Sequence, residues 1–293
     1  MVEVSVILST CDDLASLEKV VWGYFKQSFQ DFELIVADDG LGPDPSVCLP
    51  RLQRDTALKI RHLRDESSGG CKCAVLNSAI EQAAGSYLVF SEDRCIPRWD
   101  FLEVHVRLAR PRRFLSGSST PLPALLSRQI AREDVIAGRA TDAPWLAQRG
   151  LGKESGVGAL AWGPRWAGLL DTFFTPSVAW NSANASCWKS DLLDVNGFDE
   201  RIECGTLDRE LGDRLHNAGV RGKQVRHRAV CVRLYCASQV LPRQTLERNL
   251  TLSSEIRRTR STWTPFGIRK GFRVFGLDEP SSADANPARR AVA

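Results

Sequence analysis

The sequence has little of several things, and each shortage narrows what the chain can be. It carries no strong charge of one sign: 39 Lys and Arg against 35 Asp and Glu leave a net +4 over 293 residues. That balance excludes a binder relying on a strong uniform field, nucleic acid above all, and leaves room for a local basic pocket. No apolar run approaches the roughly 20 residues that cross a bilayer. The opening MVEVSVILST lacks the charged leader and cleavage site of a secretory signal. The nine cysteines are odd in number, at positions 11, 48, 71, 73, 95, 187, 204, 231 and 236, and no pair has the CxxC spacing of a zinc site. They read as small buried thiols in a reducing compartment, so a soluble, cytoplasmic protein is expected.

What is present suits an α/β protein. Hydrophobic residues make up 43% of the chain, enough to bury the core of one large domain with an appended helical tail. Val4 to Ser9 is a β-branched run expected as a buried strand. Apolar residues at helical spacing, Leu14 to Phe25, predict an acid-capped helix over 12–26. Strands follow over 32–37, 60–63 and 87–90, with a loop over 41–50 and a helix over 72–84 closed by Gly85. The alternation predicts a parallel sheet, whose ligands bind beyond the carboxyl ends of the strands. Asp38, Asp39, Glu92 and Asp93 all fall at such ends. The proline- and tryptophan-rich middle, with Pro164 and Trp166, is expected as helices and an irregular loop over the site. A helix over 207–218 stopped by Gly219, a strand over 225–235 and a basic amphipathic helix over 241–260 complete the reading.

Five segments carry a resemblance: VSVILSTCDD, FELIVADDG, GGCKCAVLNSAIEQAAGSYLVFSEDRCIP, NASCWKSDLLDVNGFDE and GTLDRELGDRLHNAG. In this order, between residue 4 and about 234, they resemble family 2 glycosyltransferases of the GT-A fold. The resemblance implies a Rossmann-like mixed, mostly parallel sheet flanked by helices. With it the chain divides into a transferase domain over 1–240 and, from its own composition, a C-terminal helical extension over 241–277 and a disordered tail over 278–293. Residues 1–100 would form the nucleotide-binding half and 101–240 the acceptor-binding half. The implied activity is inverting transfer of a hexosyl or N-acetylhexosaminyl group. It moves from a nucleotide diphosphate sugar, UDP-type, to a hydroxyl of a small-molecule or short-glycan acceptor.

The resemblance also assigns residues. Ser9, Thr10 and Cys11 would lie against the nucleobase. Asp38 or Asp39 can accept from a uracil or thymine N3–H, and the same pair also fits a turn and cap. Lys72, behind Gly69-Gly70, would meet the diphosphate, unless it is only a solvated lysine. Asn77 occupies the place of an asparagine on the same helix. Glu92-Asp93-Arg94 falls on the Asp-x-Asp signature, with Arg94 in place of the second acid. Arg233 takes the place of a metal-binding histidine, and His227 lies nearby. A guanidinium has no lone pair for Mg²⁺ or Mn²⁺. Three readings stay open: Arg94 and Arg233 replace the metal; Glu92, Asp93 or His227 hold one; or the site is inactive. Asp208 takes the place of the catalytic base, with Leu207 where the family usually has a glutamate; its alternative is a helix-capping acid. Asn184 and Trp180 would line the acceptor pocket, the tryptophan alternatively serving the core.

Two rivals remain. A nucleotidyltransferase would carry a glycine-rich basic loop after strand 1, where this chain has the acidic Ser9-Thr10-Cys11-Asp12-Asp13. A non-catalytic nucleotide-binding protein is motivated by Arg94, Arg233 and Leu207. The basic, aromatic stretch 257–275 either packs back on the domain or makes peripheral contact with a membrane surface.

Overall fold

The β-branched run at the start becomes β1 (Val4–Thr10), buried along its whole length. A computed structural model describes residues 3–10, 13–65, 70–152, 160, 171, 178–202, 206–236 and 242–270. In it β1 lies between β2 (Phe32–Asp38) and β4 (Tyr87–Glu92), parallel to both. β3 (Lys59–Arg64) extends the parallel set beyond β2. On the other side the sheet continues through β8 (Asn184–Trp188), β6 (Arg113–Ser116) and β9 (Arg221–Gln224). Only β8 is reversed among these seven strands, running antiparallel to β4 and β6.

Side chains alternate across a strand, so a strand covered on both faces is buried at every position, and its polar side chains need partners, as Ser5 finds in Glu33 at 2.6 Å. β1 shows this directly. Val6 and Leu8 join a core with Leu17, Val20 and Val21 of α1 (Leu14–Phe25). Ile7 joins the opposite core with Cys73, Leu76 and Ile80 of α3 (Lys72–Gln82). Asp13 starts α1 by accepting the N–H groups of Ala15 and Ser16.

The sequence reading missed two features. The loop expected over 41–50 ends early, because α2 (Leu49–Thr56) begins at Leu49 with Pro50 in its first turn, where a missing N–H does no harm. The strand expected over 225–235 is only β10 (Cys231–Arg233), since Val225–Ala229 closes a turn through the Val225 carbonyl. β10 belongs to a second, three-stranded sheet, between an antiparallel β5 (Cys95–Pro97) and a parallel β7 (Ser119–Pro121).

The remaining helices are α4 (Phe101–Leu108), α5 (Ala124–Gln129), α6 (Arg132–Ile136), α7 (Ala143–Gln148), α8 (Lys189–Asp194), α9 (Leu207–Asn217) and α10 (Arg243–Thr259). α9 stops before Gly219, whose φ is +81°. α10 lies on α9, with Arg257 paired to Asp213 at 2.7 Å. Beyond it the chain folds back: Asn196 donates to the carbonyls of Thr264 and Arg269 at 2.7 and 2.8 Å. The described part of the extension therefore packs on the domain. The expected tail over 278–293 and the expected loop around Pro164 and Trp166 lie outside the described residues.

Candidate active site

The strand order brings the acidic ends together. Thr10 pairs in register with Asp38, and Ser9 with Glu92. Thr10 donates its hydroxyl to Asp93 at 2.8 Å, and the Asp93 N–H bonds the Ser9 carbonyl at 2.9 Å. The β1 end is thus knitted to the turn after β4.

Glu92 is held between two cations from distant parts of the chain. Lys72, first residue of α3, reaches Oε1 at 3.0 Å, and Arg233 on β10 reaches Oε2 at 2.8 Å. Arg233 gets there because β10 pairs with β5 in a register that puts it opposite Cys95. Burial alone would raise the Glu92 carboxyl; the charges of Lys72 and Arg233, with Arg94 adding, outweigh it and hold its pKa below the ordinary value. Arg94 is half-buried, and its charge also reaches Asp13.

Asp208 stands in the first turn of α9, within reach of the same charges. Burial raises its pKa; the Ser182 hydrogen bonds and the Lys72 charge oppose the rise, and the Glu92 charge adds to it. Its Oδ1 accepts both the backbone N–H of Ser182, at 3.1 Å, and the Ser182 hydroxyl. A lysine, two arginines and a carboxylate of raised basicity therefore gather beyond the carboxyl ends of β1 and β4. That arrangement can hold an anionic leaving group and accept a proton beside it.

No protein-family model matches the sequence, and no curated protein matches it. Solved structures do. A mannosyltransferase from Pyrobaculum calidifontis, in complex with GDP-Man and Mn²⁺, aligns over 88% of this chain with a TM-score of 0.53 at 18% identity. S. aureus TarS residues 1–349, in complex with UDP-GlcNAc, aligns over 88% with a TM-score of 0.55 at 15% identity. The chain has the GT-A fold of glycosyltransferases. It spans 64% of the mannosyltransferase chain, 69% of that TarS fragment and 41% of a longer TarS chain.

Within this GT-A fold, the residues at the Asp-x-Asp position do not fit a divalent metal. Both oxygens of Glu92 are taken by cationic side chains, Asp93 accepts the Thr10 hydroxyl, and residue 94 is an arginine, which has no lone pair for a metal. His227 is held through its backbone, whose N–H donates to Asp171 at 3.2 Å, and burial, with the Arg226 charge adding and Asp171 opposing, lowers the pKa of its ring. Among the described residues, the one carboxylate–histidine cluster is Asp38, Asp44 and His62. There the Arg64 guanidinium already supplies the positive charge, 2.8 Å from Asp38 and 3.8 Å from Asp44.

The structure turns several expected GT-A site residues to other work. Asp38 accepts from Arg64 and the Gly40 N–H and faces His62, and Asp39 accepts from the Leu41 N–H at 3.2 Å, bonds of the kind the turn-forming alternative calls for. Asn77 faces the 197–200 turn, not the strand ends. Its amide donates to the Phe198 carbonyl and Glu200, and its oxygen accepts the Phe198 N–H. Asn184 is wholly buried, donating to the Ser118 and Ala229 carbonyls while His105 faces its oxygen. Trp180 packs edge-on against Phe90 and tilted against Phe114 in the core. Neither Asn184 nor Trp180 is open to an acceptor. Ser9 bonds the Ser91 carbonyl at 3.4 Å, and Cys11 lies outside the described residues. Sequence reasoning missed Ser182, whose only signal was its place two residues before Asn184.

Proposed function

We propose that this chain is an inverting glycosyltransferase that moves a sugar from a UDP-type donor to the hydroxyl of a small-molecule or short-glycan acceptor without a metal ion. The observation that carries the reading is Asp208 at the α9 start beside Lys72 and Glu92, at the carboxyl edge of the sheet. The nucleotide-sugar complexes of its structural neighbours, UDP-GlcNAc in one and GDP-Man in another, support a nucleotide-sugar donor.

In the proposed step the acceptor oxygen attacks the anomeric carbon as the bond from that carbon to the diphosphate oxygen breaks. The electron pair leaves with the nucleoside diphosphate and the acceptor proton passes to Asp208. A single displacement inverts the anomeric centre. Lys72, Arg94 and Arg233 are proposed to neutralise the departing diphosphate by charge-assisted hydrogen bonds, competing with Glu92 for it. Burial of Asp208 raises its basicity, which suits a proton acceptor at neutral pH.

The closed Glu92–Lys72–Arg233 arrangement favours a second reading, a GT-A protein that binds nucleotide without transfer. Donor turnover measured with and without EDTA, in the native chain and in Asp208→Asn, tests both. The expected result is turnover that survives chelation, and a loss of about 10²- to 10⁴-fold in Asp208→Asn with UDP affinity kept by calorimetry. Native rates in Asp208→Asn would refute the base. Loss on chelation restored by Mn²⁺ would refute the metal-free step, and binding without turnover of any donor selects the second reading.

A further inference from the structure

Resting on Asp208 as the base, we infer that Ser182 and Trp180 form a positioning relay that fixes which oxygen of Asp208 takes the acceptor proton. Ser182 is buried and gives Asp208 Oδ1 both its backbone N–H and its hydroxyl. The indole Nε1–H of Trp180 donates to the same Ser182 hydroxyl at 3.0 Å. An indole nitrogen donates and never accepts, so the Ser182 oxygen must be the acceptor there. Its own hydrogen is then directed to Asp208. Oδ1 is engaged by two donors, and Oδ2 is the oxygen left to the acceptor hydroxyl.

A second, independent observation places the helix on this relay. Gly212 lies one turn after Asp208 on the same face of α9. A Cβ there would stand 3.1 Å from the Trp180 backbone nitrogen and 3.3 Å from its Cβ. α9 therefore packs closely on residue 180, and a side chain at position 212 would press on the Trp180 backbone two residues before Ser182. Trp180 in turn is wedged between Phe90, at 5.2 Å, and Phe114, at 5.7 Å, which fixes where its N–H points. The base is thus aimed from the core.

Hydrogen bonds to a carboxylate favour its charged form, so removing them raises its pKa further. The test follows the Asp208 carboxyl carbon by NMR through a pH titration of the full chain, alongside the pH profile of kcat. In Ser182→Ala the carboxyl is expected to titrate at higher pH, the acid limb of kcat to move the same way, and kcat at neutral pH to drop on the order of tenfold. Ser182→Thr, which keeps the hydroxyl, restores both. Trp180→Phe and Gly212→Ala give smaller shifts of the same sign and stand in if Ser182→Ala does not fold. An unchanged Asp208 titration in these variants overturns the relay whether or not the native chain transfers sugar. A shifted titration in a chain with no turnover keeps the relay and overturns the proposed function instead.

Discussion

At the scale of single residues, His105 shows how a buried polar group is made safe. Its Nε2 faces Asn184 Oδ1 at 3.1 Å, and its Nδ1 faces the Ser186 hydroxyl at 2.7 Å. An amide oxygen only accepts, so Nε2 carries the hydrogen and Nδ1 accepts from Ser186, which in turn takes the Tyr87 hydroxyl at 2.7 Å. The ring is neutral, and burial pushes its pKa down to about 4. Unfolded, it would take a proton near 6.5, so between about 6.5 and 4 the unfolded state binds the extra proton. Stability is therefore expected to fall as pH drops through that window, by up to about 1.4 kcal/mol per pH unit from this group. Urea titrations across pH 4 to 7 should show a flatter dependence in His105→Gln than in the native chain. An equal slope in both would move the effect elsewhere.

At the scale of elements, α9 does two jobs with two faces. Asp208, Gly212 and His216 recur at one-turn spacing toward residues 180–182 and Phe114. Between them, Glu210 and Arg214 form a wholly buried pair at 2.5 Å, and Arg214 also bonds the Val195 and Gly197 carbonyls. Those carbonyls sit in a turn where Asn196 and Gly197 both have positive φ, so the guanidinium meets groups no regular structure satisfies. Breaking such a pair from one side strands a buried charge. Arg214→Met is expected to lose about 3–5 kcal/mol in denaturant unfolding, and Glu210→Gln added to it should recover part of that. A loss below about 1 kcal/mol would mean that water already reaches the pair.

At the scale of the whole molecule, the 196–201 turn is gripped from two sides. α3 holds it through Asn77, and the returning stretch 264–270 holds it through the Thr264–Asp199 hydrogen bond at 2.6 Å and the Asn196 contacts. Arg201 adds by stacking on Phe266. The C-terminal extension thereby braces the segment that leads to α9 and Asp208. Ending the chain after Arg260 is expected to speed hydrogen exchange at 196–202 while leaving β1 and β2 protected, and to lower Tm by several degrees. Unchanged exchange at 196–202 would show that Asn77 suffices.

The sequence alone determined the parallel frame. Short β-branched runs broken by turn residues suit strands covered on both faces, and helical spacing with Asp13 before one helix and Gly219 after another marks α1 and α9 from local chemistry. It also marked Glu92, Arg94, Arg233 and Asp208 as one constellation through resemblance, and the structure brings Glu92 and Arg233 together across 141 residues of chain. Tertiary packing alone decided which way polar side chains face. Asn77, Asn184 and Trp180 have the residue types of a binding site, yet their partners lie far along the chain, and those partners take them into the core. Strands of three residues such as β5, β7 and β10 carry too few positions for a period to register. Their existence, and with it the place of Arg233, follows from contacts rather than from pattern.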